Sequence, residues 1–236
     1  MTEREQAADH LKVIRSLMER ATVYRTISWP TSLMGGSLAV ILAALIFLRE
    51  QAAISEGTIG EKGISEEAWI ICWMVALVLT VCFNAWLVSR KSRREGRPFF
   101  SPGLKMGLRA LFPSMLAGGV VGVGLTLSGT AAIGASVWVS CYGLALLATR
   151  GLAPVSMSRL GYAFLAAGLA SFLYAWSDGA NPLPGLGAPD HMESPMLEAN
   201  LIMGICFGLF HLVYGLIVMR TSRVEEAGLT GEGEDS

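Results

Sequence analysis

The sequence predicts an all-α polytopic membrane bundle: about six transmembrane helices preceded by one cytosolic amphipathic helix. Three observations carry that prediction. The 236-residue chain is 53% hydrophobic and 16% charged, with a mean hydropathy of +0.51; soluble domains carry about 25% charged residues. Its apolar residues gather into long continuous runs, of roughly the 17–25 residues that a bilayer core demands of a helix. Its basic residues, finally, concentrate in alternate connections between those runs. The runs do not break into alternating segments of about ten residues, which argues against barrel strands.

Residues 5–27 place Leu11, Ile14, Met18, Ala21 and Tyr24 at helical spacing, with Leu17 beside them, on an otherwise charged segment. That pattern predicts an amphipathic helix within a cytosolic arm, residues 1–29. The arm could lie in lipid headgroups, pair with a helix of a second copy or another protein, or pack on this chain's own loops. It has no apolar core of the signal-peptide kind, so the first span is expected to direct insertion. Ser28 suits an N-cap, Pro30 suits a first helical turn, and Trp29 suits an interfacial anchor.

The spans are predicted at about 30–48, 68–88, 106–127, 130–149, 160–176 and 197–219, followed by a disordered acidic tail over 220–236. The third contains Pro113 and could begin as a surface segment, and the fifth is short. Ser128-Gly129 alone separates the third and fourth, which requires a tight antiparallel hairpin. The NPLPGLGAP stretch before the sixth reads as an irregular cap.

Orientation follows from the lysines and arginines. Sixteen lie in the arm, the second and fourth connections and the tail, against two, Arg49 and Lys62, on the opposite side. The two termini are therefore expected in the cytoplasm. Arg90, Lys91, Arg93, Arg94 and Arg97 fit an ordinary cytoplasmic determinant within reach of lipid headgroup phosphates. The run has no interleaved aromatics, so no nucleic acid is expected.

An ionisable side chain deep in a span is a functional candidate because its burial is costly. His211, near the middle of the sixth span, is the deepest. At 100° per residue it shares an arc with Asn200, Gly204, Gly208 and Gly215, so its imidazole is expected on a small-residue face. There it could pin two helices through a hydrogen bond, or belong to a ligand or proton pathway with Asn84 and Asn200. Gly118 and Gly122, Gly204 and Gly208, and the stripe Ser32, Gly36, Ala39 and Ala43 predict close helix crossings, within one chain or between two.

Cys72, Cys82, Cys141 and Cys206 lie in apolar runs and read as small packing residues; no pair has zinc-ligand spacing. No phosphate loop, dinucleotide fingerprint, paired carboxylates or HExxH is present, so no metal, cofactor or catalytic residue is assigned. No Asp or Glu lies deep in a span, which argues against a carboxylate-driven carrier. Rhomboid-type intramembrane proteases also combine a serine in a fourth span with a histidine in a sixth. Ser136 and His211 could be set on that pattern, but Val137 stands where a glycine should follow the serine, and His211 lies deeper.

The segments MERATVYRTISWP (18–30), SPG (101–103) and FGLFHLVYG (207–215) touch both ends and the middle of the chain. Through them it resembles bacterial inner-membrane proteins of about this size, a family with no assigned activity. The resemblance implies a multi-pass protein of the bacterial cytoplasmic membrane and adds nothing on mechanism. The function expected first is a non-enzymatic membrane component that self-associates or binds a partner through its arm and small-residue faces. A small transporter or channel is the alternative, and an intramembrane enzyme a remote one.

Overall fold

The computed structural model describes residues 29–58, 62–94, 96, 102–177 and 195–231, and every regular element among them is helical. The expected arm helix, the NPLPGLGAP cap, Arg97 and the last five residues lie outside the described residues. The helices are α1 (Trp29–Ser55), α2 (Glu66–Arg94), α3 (Pro102–Leu127), α4 (Ala131–Ala148), α5 (Val155–Ser177), α6 (Pro195–Met203) and α7 (His211–Gly231). A π-helical segment, Gly204–Phe210, joins α6 to α7, and the three form one rod. Six helices, counting that rod as one, are long and apolar enough to cross a membrane.

Several ends differ from expectation for identifiable reasons. α1 continues seven residues past the predicted 48, through good helix formers such as Glu50, Gln51, Ala52 and Ala53. It stops at Gly57, whose φ of 65° lets Gly57 N–H donate to the Ile54 carbonyl and Thr58 N–H to the Ala53 carbonyl, a Schellman ending. α3 runs unbroken through Pro113. α7 runs to Gly231, into the segment expected to be a disordered tail. The Thr221 and Ser222 hydroxyls there bond back to the carbonyls of Ile217 and Val218.

The Ser128-Gly129 hairpin uses the same device as Gly57. Gly129 has a φ of 81°, its N–H meets the Thr126 carbonyl at 3.0 Å, and Thr130 N–H meets the Leu125 carbonyl at 3.1 Å. An alanine cannot take that backbone without strain, so Gly129→Ala is expected to cost about 1 kcal/mol, read as a lowered unfolding midpoint in detergent.

α4 is the central helix and the most enclosed. It lies between α3 and α5 and touches α6. Its small residues let backbones approach: a Cβ on Gly143 would meet Leu165 N at 2.6 Å and the Gly161 carbonyl at 2.8 Å. A Cβ on Gly134 would lie 2.7 Å from the Gly122 carbonyl. α1 crosses the rod antiparallel, with Leu33 against Gly215, Gly36 against Leu212 and Gly208, Val40 against Gly208, and Ala43 against Gly204. α2 packs on α1, where Thr80 fills the space over Gly35.

The outward surface is apolar. Ile41, Leu45 and Leu48 on α1, Ile71, Val75 and Val78 on α2, Leu116 and Val120 on α3, and Leu169 and Leu173 on α5 are all exposed. So much contiguous exposed hydrocarbon is unfavourable in water and suits a lipid bilayer.

Candidate functional site

The sequence-predicted polar residues go to separate helix contacts rather than to one cleft. His211 opens α7 directly after the π segment. Its Nδ1 lies 3.0 Å from the Phe207 carbonyl one turn back, and its Nε2 lies 2.9 Å from the Tyr142 hydroxyl of α4. A carbonyl only accepts, so Nδ1 carries the proton; in the neutral imidazole Nε2 then accepts from Tyr142. The ring is packed among Tyr142, Phe164 and Phe207, with centroids 5.6, 5.3 and 6.1 Å away. Phe210 stands edge-on to Phe164 at 5.4 Å.

His211 therefore sits at the border of the glycine face rather than within it. Gly204, Gly208 and Gly215 meet α1, whereas the imidazole turns to α4 and α5. The expectation assumed 100° per residue throughout. The rod instead passes through a π segment at Gly204–Phe210, and Gly215 beyond it still meets α1. The His211 backbone is also engaged: its carbonyl accepts from the Ser32 hydroxyl of α1 at 2.9 Å.

Asn84 lies near the other end of α2, where the Thr31 hydroxyl donates to its Oδ1 at 3.0 Å. Asn200, fully buried on α6, donates from Nδ2 to the Ala43 carbonyl of α1 at 2.8 Å. The three polar residues singled out thus tie three different pairs of helices. Interhelical bonds of this kind are worth about 0.6 kcal/mol on average. Asn84→Leu is accordingly expected to lower stability by under about 2 kcal/mol, measured by chemical unfolding in detergent.

Gly118 and Gly122 lie against Cys141 and Trp138 of α4, so both glycine pairs face helices of the same chain. Ser136 is buried and its hydroxyl donates to the Ala132 carbonyl at 2.8 Å. Its proton and the His211 ring thus have different partners, and the pair does not form a serine–histidine dyad. Of the four free thiols only Cys206 is buried; Cys82 is exposed on α2, contrary to the buried role expected for all four. Arg90 stacks over Trp86 at 5.5 Å, and Lys91, Arg93 and Arg94 occupy the last turn of α2, where cations complement the helix dipole.

Sequence reasoning missed Tyr142, the tryptophan group and Glu50. Tyr142 and Trp138 sit in a run that is apolar all round, where periodicity marks no inward face. Trp69 and Trp138 stack at 5.7 Å from different helices, and no spacing within one segment announces such a pair. Glu50 is buried, and its Oε1 accepts the Ile64 N–H at 2.6 Å. With Arg49, which donates to the Lys62 carbonyl at 3.0 Å, it fastens the connection between α1 and α2.

The helices and their surface define the class: a multi-helix bundle suited to a bilayer. No protein-family model, no curated protein and no solved structure matches the chain.

Proposed function

We propose that the chain is a six-span protein of a bacterial cytoplasmic membrane, with both termini in the cytoplasm. Its bundle serves as a non-enzymatic frame that presents its cytoplasmic end to a partner. The observation that carries this reading is the use of the deep polar groups. His211, Asn84 and the amide of Asn200 each bind a neighbouring helix, as interior braces do. The orientation rests on the sixteen-to-two distribution of basic residues.

Both glycine pairs meet helices of the same chain, which leaves the arm as the favoured contact for a second copy or another protein. The test is purification in mild detergent, with mass spectrometry of every protein that remains bound, for the full chain and for a chain lacking residues 1–27. The expected result is a stoichiometric protein partner, or a second copy, retained by the full chain and lost on truncation. Identical behaviour of the two chains would overturn the role given to the arm.

A conduit for a small solute is the second reading, favoured by the π segment beside His211, since such segments often mark functional positions. It requires solute flux in liposomes that His211→Ala alters.

A further inference from the structure

In the half of the bundle remote from the Arg90–Arg94 turn, four buried polar atoms have no hydrogen-bond partner among the described residues; one, the Thr58 Oγ1, belongs to the α1–α2 connection, and the other three lie within helices. Two are indole nitrogens in the first turns of α2, on Trp69, which is 0% exposed, and Trp73, which is 4% exposed. The third is the Oδ1 of Asn200, a residue also 0% exposed. A buried indole N–H ordinarily finds an acceptor, and a buried amide oxygen a donor, because leaving either unpaired is unfavourable. α1 sets them at one depth: the Thr31–Asn84 and Gly35–Thr80 contacts fix an antiparallel register that puts Leu42 and Ile46 level with Trp73 and Trp69, and the Ala43 carbonyl between them holds Asn200. Trp69 and Trp73 stand 6.1 Å apart in the buried cluster that holds Ala199 and Met203 on either side of Asn200, and Ala43, whose carbonyl Asn200 binds, packs against it.

We propose that this region is a binding site for a small neutral molecule bearing both a hydrogen-bond acceptor and a donor, framed by Trp69, Trp73 and Asn200. The indoles can only donate and the Asn200 oxygen can only accept, so the guest must do both. The buried Glu50 carboxyl, at the same end of α1, is held by the Ile64 N–H. The nearby Arg49 is committed to loop carbonyls, and two donor N–H groups repel a cation as the amide oxygen repels an anion. Water and a small alcohol or amide share this chemistry. The site holds for a frame as for a conduit.

The full-length protein in lipid nanodiscs, labelled with 15N at its six tryptophans, tests the proposal. Indole signals are assigned with Trp69→Phe and Trp73→Phe or, where these do not fold, by elimination with Trp29→Phe, Trp86→Phe, Trp138→Phe and Trp176→Phe. Trp138, whose N–H points to the Gly119 carbonyl at 3.4 Å, is the internal control. The expected result is magnetisation transfer from water to the Trp69 and Trp73 indole protons, at least twofold stronger than to Trp138. Acetamide is then titrated. A saturable shift of the same two signals identifies a solute site, and water transfer without that shift identifies water as the guest. Neither transfer nor shift at these indoles would overturn the proposal.

Discussion

Gly143→Leu is expected to prevent the bundle from assembling. The position lies in α4, and a Cβ there would stand 2.6 Å from Leu165 N and 2.8 Å from the Gly161 carbonyl, both main-chain atoms of α5. A crowded side chain can relieve a clash by changing rotamer, but a facing backbone cannot. The two helices would have to separate, and α4 would lose close packing along its length. The expected destabilisation is on the order of 3–5 kcal/mol, above the usual range for overpacking, because the helix concerned is the most enclosed one. The matched control is Gly124→Leu on α3, where nothing lies within 4 Å of the added Cβ. That change should move stability by no more than about 0.5 kcal/mol. Unfolding in mixed micelles, followed by tryptophan fluorescence, compares the two.

His211→Ala is the second change with a large expected effect. It removes the ring from among Tyr142, Phe164 and Phe207 and leaves the Tyr142 hydroxyl and the Phe207 carbonyl without their partner. A cavity and unpaired buried groups together are worth roughly 3–5 kcal/mol. Tyr142→Phe keeps the ring packing and removes one hydroxyl, so about 1 kcal/mol is expected. With His211→Phe it forms a double-mutant cycle whose coupling energy isolates the bond between them. The cycle also separates the two functional readings. A brace loses stability without any change in liposome permeability, whereas a conduit changes flux in Tyr142→Phe, the variant that remains well folded.

Much of the fold was legible in the sequence because the strongest signals were local. Apolar runs of bilayer length, the two-residue hairpin at Ser128-Gly129 and the prolines and glycines at helix ends are all readable within one segment. Gly129 shows this well: a glycine two residues past an apolar run is the residue a Schellman ending requires. The arrangement of the helices was less legible. Ser32, Gly36, Ala39 and Ala43 announced a close crossing, but not that its partner is the rod of α6 and α7 in the same chain.

The site was legible in its residues and not in its contacts. His211, Asn84 and Asn200 stood out because polar groups are scarce in apolar runs. Their interhelical partners are two hydroxyls and a carbonyl on helices distant in sequence, such as Tyr142, 69 residues from His211. The π segment before His211 was not legible either, because no feature of the GICFGLF sequence distinguishes it from ordinary helix. The hydrogen-bonding capacity of Trp69 and Trp73 was hidden because tryptophan in an apolar run reads as bulk hydrocarbon.

The proposed function depends first on the helices crossing a membrane six times with both ends in the cytoplasm. Single cysteines placed at Gly57, Gly96, Gly129, Gly151, Ala188 and Thr230, in a chain whose four native cysteines are replaced, test it directly. Intact cells are treated with a membrane-impermeant maleimide, and the labelling is repeated after permeabilisation. That topology predicts labelling from outside at positions 57, 129 and 188, and at positions 96, 151 and 230 only once the membrane is opened. Labelling of two consecutive connections from the same side, or of position 230 in intact cells, would contradict it.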